Sequence, residues 1–270
     1  MSLLSIVFTL RPRQHGILPA DQGRALTAEF LNWVRERDAA LSAALHEENE
    51  IRPYTVSSLR GSAGSGGQIP LLPDRPLWWR LTTLTPKLSD FVQTRILPAL
   101  PDSITLGEQS FDLLSAVCDP QKHPWAGQSS CEEIAAGKLL APRASASFTL
   151  EFATPTTFHS EGRFQPFPLP GLVFRQWLEK WNAFSPLRFP PETLGMAESL
   201  LVVSRYRLES KVVKYGQAAY IGFTGRCTYR LRSNDPYWRR ILQALADFAF
   251  FCGTGAKTTF GLGQTRPVAR

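Results

Sequence analysis

Residues 253–263 read GTGAKTTFGLG, a G-x-G-x5-G-x-G pattern. Glycine removes the side chain that keeps other groups away from the backbone, so such a loop suits close approach to a phosphate chain. Gly253, Gly255, Gly261 and Gly263 enclose Lys257, Thr258 and Thr259, which predicts free amide donors and one cation. A dinucleotide-binding fingerprint needs G-x-G-x-x-G after a strand and before a helix. Here five residues separate the second and third glycines, and Pro267 stands where a helix would have to form. A nucleotide-triphosphate loop needs Gly-Lys-Ser/Thr, but Lys257 follows Ala256. A plain glycine-rich hairpin between two neighbouring elements also fits.

Upstream of the loop, the pattern predicts a helix from about Pro236 to Phe250 and strands over 198–213 and 219–231. Before these come a helix from about Leu172 to Phe184 and a strand SFTLEFA at 147–153. The first half repeats this order. LLSIVFTL, residues 3–10, reads as a strand, followed by a loop with Arg11, Arg13 and His15. From Gln22 to Leu45 the positions Leu26, Phe30, Trp33, Val34, Leu41 and Leu45 fit one helical face, with Asp21 as N-cap. Tyr54 to Leu59 predicts a strand, GSAGSGGQ at 61–68 a flexible tip, and LWWRLTTL at 77–84 a further strand. A short helix over Thr85–Leu100 and a strand pair over Ile104–Cys118 complete a β-α-β-β-α-β order, the ferredoxin-like split unit.

The expected fold is therefore α+β: two tandem ferredoxin-like (RRM-like) domains whose antiparallel sheets face each other. The expected boundaries are 1–118 and 145–270, with an irregular bridge at 119–144 that is rich in proline and glycine. One α+β domain with a larger mixed sheet also fits the element order alone. Trp78, Trp79, Trp177 and Trp181 stand at helix or strand spacing and are assigned to cores.

The chain has 270 residues, 43% of them hydrophobic, enough for substantial cores. With 30 basic and 23 acidic residues, its net charge of +7 favours a polyanion or anionic surface as partner. Arg226, Arg230, Arg232, Arg239 and Arg240 fall within fifteen positions, just after Arg205, Arg207, Lys211 and Lys214. This cluster precedes the glycine loop and reads as a nucleic-acid face. Cys118, Cys131, Cys227 and Cys252 form no C-x-x-C pair, so no metal site and no cofactor is expected, and free thiols suit a cytoplasmic protein. Neither a signal peptide nor a membrane span is read.

The glycine loop resembles the C-terminal signature of the CRISPR repeat-RNA endoribonucleases, the Cas-six family of the RAMP superfamily. Gly253, Gly255, Lys257, Gly261, Leu262 and Gly263 match, and Thr254 departs where an apolar residue is usual. LSAALHEENEIRPYTVSSLR, residues 41–60, resembles the family's exit from its first helix through His46, Arg52, Pro53, Tyr54, Thr55, Val56 and Ser57. TPTTFHSEGRFQPFPLPGLVF, residues 154–174, resembles the opening of its C-terminal domain. The resemblance implies the duplicated fold and a metal-independent endoribonuclease that binds CRISPR repeat RNA. Attack by the RNA's own 2′-hydroxyl would leave 5′-hydroxyl and 2′,3′-cyclic phosphate ends. Further CRISPR effector subunits or a homodimer are open as partners.

Such cleavage needs a base for the 2′-hydroxyl, an acid for the 5′-oxygen and a cation for the phosphorus centre. Histidine titrates near neutrality, and His46 sits at a helix C-terminus whose dipole favours the protonated ring. Arg52 is permanently charged and forks onto phosphate. The resemblance implies the catalytic position for His46 and a basic position, often lysine, for Arg52. Some relatives place a tyrosine at the position of Leu31, so His15 and then Tyr54 are the candidate acids. The RNA-binding candidates are Gly253, Gly255, Lys257, Thr258, Gly261, Gly263, Arg226, Arg230 and Arg232. A repeat-RNA-binding subunit that no longer cuts is the alternative.

Overall fold

The computed structural model describes residues 3–46, 51–62, 64, 67–215 and 218–268. Residues 47–50 of the helix-exit segment, and 63, 65 and 66 of the expected flexible tip, lie outside the described residues. The chain forms two compact units. The first comprises residues 1–128 with 259–261, and the second residues 129–258 with 262–270.

The first unit begins with β1 (Leu3–Pro12), β2 (Gly16–Pro19), α1 (Gly23–Arg37), α2 (Ala39–His46) and β3 (Tyr54–Val56). β4 (Gln68–Leu71), β5 (Leu77–Thr83), α3 (Pro86–Phe91), β6 (Ser103–Leu106), β7 (Gln109–Val117) and β8 (Gly127–Ser129) follow. The sheet order is β3-β5-β1-β7-β6, with β8 on β1, and β2 and β4 pair separately. The ladders β3–β5, β5–β1, β1–β7 and β7–β6 are all antiparallel, which is the ferredoxin-like arrangement. Alternation along β5 decides the faces. Leu77, Trp79 and Leu81 join Phe8, Phe30 and Trp33 in the core, where Trp79 stacks on Phe8 at 4.4 Å. Arg80 points the other way, where Nε donates to Ser5 Oγ (2.7 Å) and to the Trp125 carbonyl (3.0 Å).

The expected single helix over 22–45 is two helices. At Asp38 the backbone turns extended (φ −157°, ψ 95°). The Asp38 side chain accepts the Leu41 amide (2.8 Å) and its carbonyl accepts that of Ser42 (3.1 Å), so one residue stops α1 and caps α2. Apolar periodicity runs through the break and hides it. The N-cap of α1 is Gln22, without a side-chain cap, rather than Asp21. Arg11 lies within β1, not in the loop.

Residues 119–144, expected to be irregular, hold β8 and α4 (Cys131–Leu139). Ser130 caps α4 by accepting the Glu133 amide at 3.1 Å, a local signal outweighed in the sequence by neighbouring Pro and Gly. Lys138 of this helix pairs with Asp247 at 2.7 Å.

The second unit continues with β9 (Ser147–Thr156), the hairpin β10 (Phe158–Ser160) and β11 (Arg163–Gln165), α5 (Pro170–Phe184) and α6 (Glu192–Leu200). β12 (Leu201–Tyr215), β13 (Ala218–Leu231), α7 (Pro236–Cys252) and β14 (Thr265–Val268) complete it. The strand expected from 198 starts at 201 because α6 runs through Leu200. The order β12-β13-β9-β14, antiparallel throughout, repeats that of the first unit. Two ferredoxin-like folds therefore stand in tandem. Trp177, Trp181, Phe174 and Phe248 are buried where α5 and α7 meet.

Replacing Asp38 by Ala should cost about 1 kcal/mol in a urea unfolding experiment, and Asp38→Asn only a few tenths. Equal stability of the Ala variant would mean that packing alone holds the break.

Candidate active site

His46 is the exposed last residue of α2. The guanidinium of Arg52 returns to this helix end: one nitrogen donates to the Leu45 carbonyl and another to the His46 carbonyl (2.9 Å). Carbonyls at a helix C-terminus lack intrahelical partners and carry partial negative charge, so a cation there is favoured twice, by hydrogen bonds and by the dipole. Arg52 thereby fixes the backbone that carries the imidazole.

The break at Asp38 lays α2 back along α1, and the Ser42 hydroxyl donates to the Leu31 carbonyl at 3.3 Å. Between them lies a concavity of about 450 Å³. Its lining includes Ala28, Leu31, Asn32, Arg35, Ser42 and His46. On α1 the positions 28, 31, 32 and 35 share a face at i, i+3 and i+4 spacing, as do 39, 42, 43 and 46 on α2. Asn32 and Arg35 belong to this lining although sequence reasoning passed over them. Helical spacing was the available signal, but it pointed to His46 only once the helix was known to fold back.

The first turn of α1 meets the end of the glycine loop. Residues 259–261 belong to the same unit as His46. The Thr27 hydroxyl donates to the Thr259 carbonyl. Gly261 donates its amide to the Val56 carbonyl (2.9 Å) and bridges Ser57. Gly23 allows this approach, since a Cβ there would fall 2.2 Å from the Phe260 backbone. Thr27 adjoins Ala28, so one stretch of α1 carries both the loop contact and the edge of the His46 concavity.

The glycines are not a bare donor set. All four have positive φ, and each Cβ would be crowded, most severely at Gly263, where it would lie 1.9 Å from the Thr254 carbonyl oxygen. The loop is largely buried, and the amides of Gly253, Thr254, Ala256, Gly261, Leu262 and Gly263 bond within the protein. Thr254 donates to Gly263 (2.8 Å), Ala256 to Thr157 (2.7 Å) and Gly263 to Pro155 (3.0 Å). For these six amides the expectation of free donors is corrected: glycine is needed for the left-handed backbone and close carbonyl contacts. Thr258 is 7% exposed and its hydroxyl accepts from Lys180 Nζ at 3.2 Å, so it serves the loop's interior. The same Nζ donates to the Cys252 carbonyl (2.6 Å), and burial lowers its pKa from the ordinary lysine value. Lys257 is half-buried, with its ammonium 5.2 Å over the Tyr220 ring.

On the second unit's sheet, Cys227, Tyr229 and Leu231 face the core while Arg226 and Arg230 face outward. A concavity of about 1090 Å³ on that outer side is lined by Arg205, Arg207, Arg226, Glu151 and Thr228 among others. Arg226 is 61% exposed and stands 3.8 Å from Glu151, which bonds Arg266 more closely (2.6 Å). Arg232 is exposed just past β13. Arg239 and Arg240, counted with this cluster in the sequence, bond the backbone carbonyls of Ser233 and Ala141. The Lys214 side chain lies outside the described residues.

Tyr54 is 3% exposed and packs on Phe30 at 5.3 Å between ring centroids. Burial pushes its hydroxyl up to about 12, so it holds its proton more tightly than an ordinary tyrosine. Its side chain serves the core rather than the solvent-facing helix end. His15 is exposed in the turn between β1 and β2 and is not part of the His46 concavity.

Two ferredoxin-like units, one with a histidine on a folded-back helix and one with an arginine-lined sheet face, define a protein with a duplicated ferredoxin-like fold. The family profile described as CRISPR Cas6 N-terminal domain matches residues 3–135, and that described as CRISPR-associated endoribonuclease Cas6 matches residues 150–265. The chain belongs to the Cas6 family. It is 26% identical over 261 residues to the CRISPR-associated endoribonuclease Cas6 of Mycobacterium tuberculosis, covering 96% of this chain and 72% of that one. Among solved structures, a Cas6 product complex is 30% identical with a TM-score of 0.82, covering 98% of this chain and all (100%) of that one. A Thermus thermophilus Cas6 is 30% identical with a TM-score of 0.76, covering 99% and 98%. Among the described residues no helix is long and apolar enough to cross a membrane.

Gly263→Ala should lower stability by about 2 kcal/mol or more, because strain and a backbone clash add. Lys257→Ala should change it by less than about 0.5 kcal/mol. Thermal melts of both variants check this, and an undisturbed Gly263→Ala protein would contradict the loop geometry.

Proposed function

We propose that this chain binds the repeat segment of a CRISPR transcript and cuts it at a fixed phosphate without a metal ion. The observation that carries the reading is His46, exposed at a helix end that Arg52 clamps, in a chain of the Cas6 family. Neutral His46 takes the proton of a 2′-hydroxyl as its oxygen attacks the adjacent phosphorus. The bond to the 5′-oxygen breaks, leaving a 2′,3′-cyclic phosphate and, after protonation, a 5′-hydroxyl. The proton for the departing oxygen comes from water, since His15 stands outside the His46 concavity and the buried Tyr54 hydroxyl holds its proton tightly. The outward Arg205, Arg207, Arg226 and Arg230, with Arg232 and Lys257, supply cationic contact for the RNA backbone. The glycines shape the loop that carries Lys257. Precursor transcripts place the work in the cytoplasm.

A non-cutting repeat-binding subunit is the second reading, favoured by Leu31, an apolar residue in the His46 concavity where some relatives hold a tyrosine. Incubating the protein with labelled repeat RNA in EDTA separates the two. Cleavage should persist, and His46→Ala should abolish it while repeat affinity stays within a few-fold. Cleavage that needs magnesium, or that survives in the variant, would refute the route. Lys257→Ala should weaken binding and reduce the slope of log affinity against log salt by about one. An unchanged slope would remove Lys257 from the interface.

A further inference from the structure

We infer that Arg35 is a further catalytic residue of the His46 site, contacting the phosphate being cut. The inference rests on the nuclease reading above. Arg35 is exposed on α1 and lines the same concavity as His46. It is the cation among the lining residues Ala28, Leu31, Asn32, Arg35 and Ser42. Among the described residues it has no hydrogen-bond or ion-pair partner. Neighbouring arginines differ: Arg37 donates to the carbonyls of Trp33, Arg95 and Ala99, and Arg52 to those of Leu45 and His46.

The chemistry needs such a group. As the 2′-oxygen bonds to phosphorus and the 5′-oxygen departs, negative charge grows on the two non-bridging oxygens. A donor aimed at developing charge contributes more than one aimed at the ground state. Arg52 has two of its donors already committed to carbonyls that hold α2 in shape. Arg35 brings a whole guanidinium, planar, permanently charged and able to present two parallel N–H groups to a phosphate. It transfers no proton, so His46 keeps the base role. Leu31, one turn before it, offers no donor, which leaves Arg35 as the polar group on that stripe of α1 together with Asn32.

The experiment compares wild type, Arg35→Ala, Arg35→Lys and Arg52→Ala on end-labelled repeat RNA under single-turnover conditions, with thermal melts of each. Arg35→Ala should cut on the order of 10²-fold more slowly, bind the repeat within a few-fold, and melt with the wild type. Arg35→Lys should fall between, and free guanidinium should restore part of the Ala variant's rate. Arg52→Ala should lose both rate and thermal stability, because it also caps α2. An Arg35→Ala protein that cuts at the wild-type rate overturns the inference, as does one whose rate and melting temperature fall together. A wild-type chain that leaves the repeat intact overturns the nuclease reading itself, and this assignment with it.

Discussion

The extended backbone at Asp38 is the constraint on which the candidate site depends. His46 follows Ala28 by eighteen residues, which in one straight helix would separate them by roughly 27 Å. The break at Asp38 brings both onto one concavity. It stands because polar groups on both sides are satisfied: Arg37 donates to the Trp33 carbonyl near the end of α1, and α2 begins under the Asp38 carboxylate. Arg52 then holds the far end of α2. The short second helix is thus fixed at both termini by side chains, not by its own propensity, which eight residues could not supply.

The glycine loop follows a different logic from the one its composition suggests. Bare backbone implies donors held out to a ligand, yet a buried backbone must pair its polar groups. Here the amides of Thr254, Ala256, Gly261 and Gly263 find carbonyls in the protein. Glycine recurs because the loop turns through positive φ and packs backbone on backbone, at 1.9 Å and 2.4 Å from a hypothetical Cβ at Gly263 and Gly255. From α5, Trp177 donates to the Gly253 carbonyl and Lys180 to that of Cys252, so the loop is held from beneath. Its glycines set the shape of the backbone that carries Lys257.

Strand order was legible in the sequence because alternation and turns are local signals. β1, β5, β9 and β13 stand close to where their apolar pattern places them, and both halves show the same topology. The helix break, the cap of α4 and the buried state of Tyr54 were not legible. Each depends on a single polar residue or a tertiary contact that periodicity averages away. The Asp38 signal was an N-cap residue inside an apolar repeat, and Ser130 was a capping residue among prolines and glycines. His46 was singled out by its motif, whereas Asn32 and Arg35 needed the fold.

Counting arginines gives the net field but not the cations available to a ligand. Five arginines within fifteen residues looked like one surface, yet Arg239 and Arg240 bond carbonyls, while Arg226 shares Glu151 with Arg266. On α1, Arg37 fastens the turn at Arg95 and Ala99. A guanidinium engaged by carbonyls keeps its charge but loses the freedom to follow a phosphate through a reaction. Arg35, which shares its concavity with Ala28, Leu31 and Ala39, retains that freedom. Function in this chain is therefore written less in how many basic residues it carries than in which of them the fold leaves without structural work.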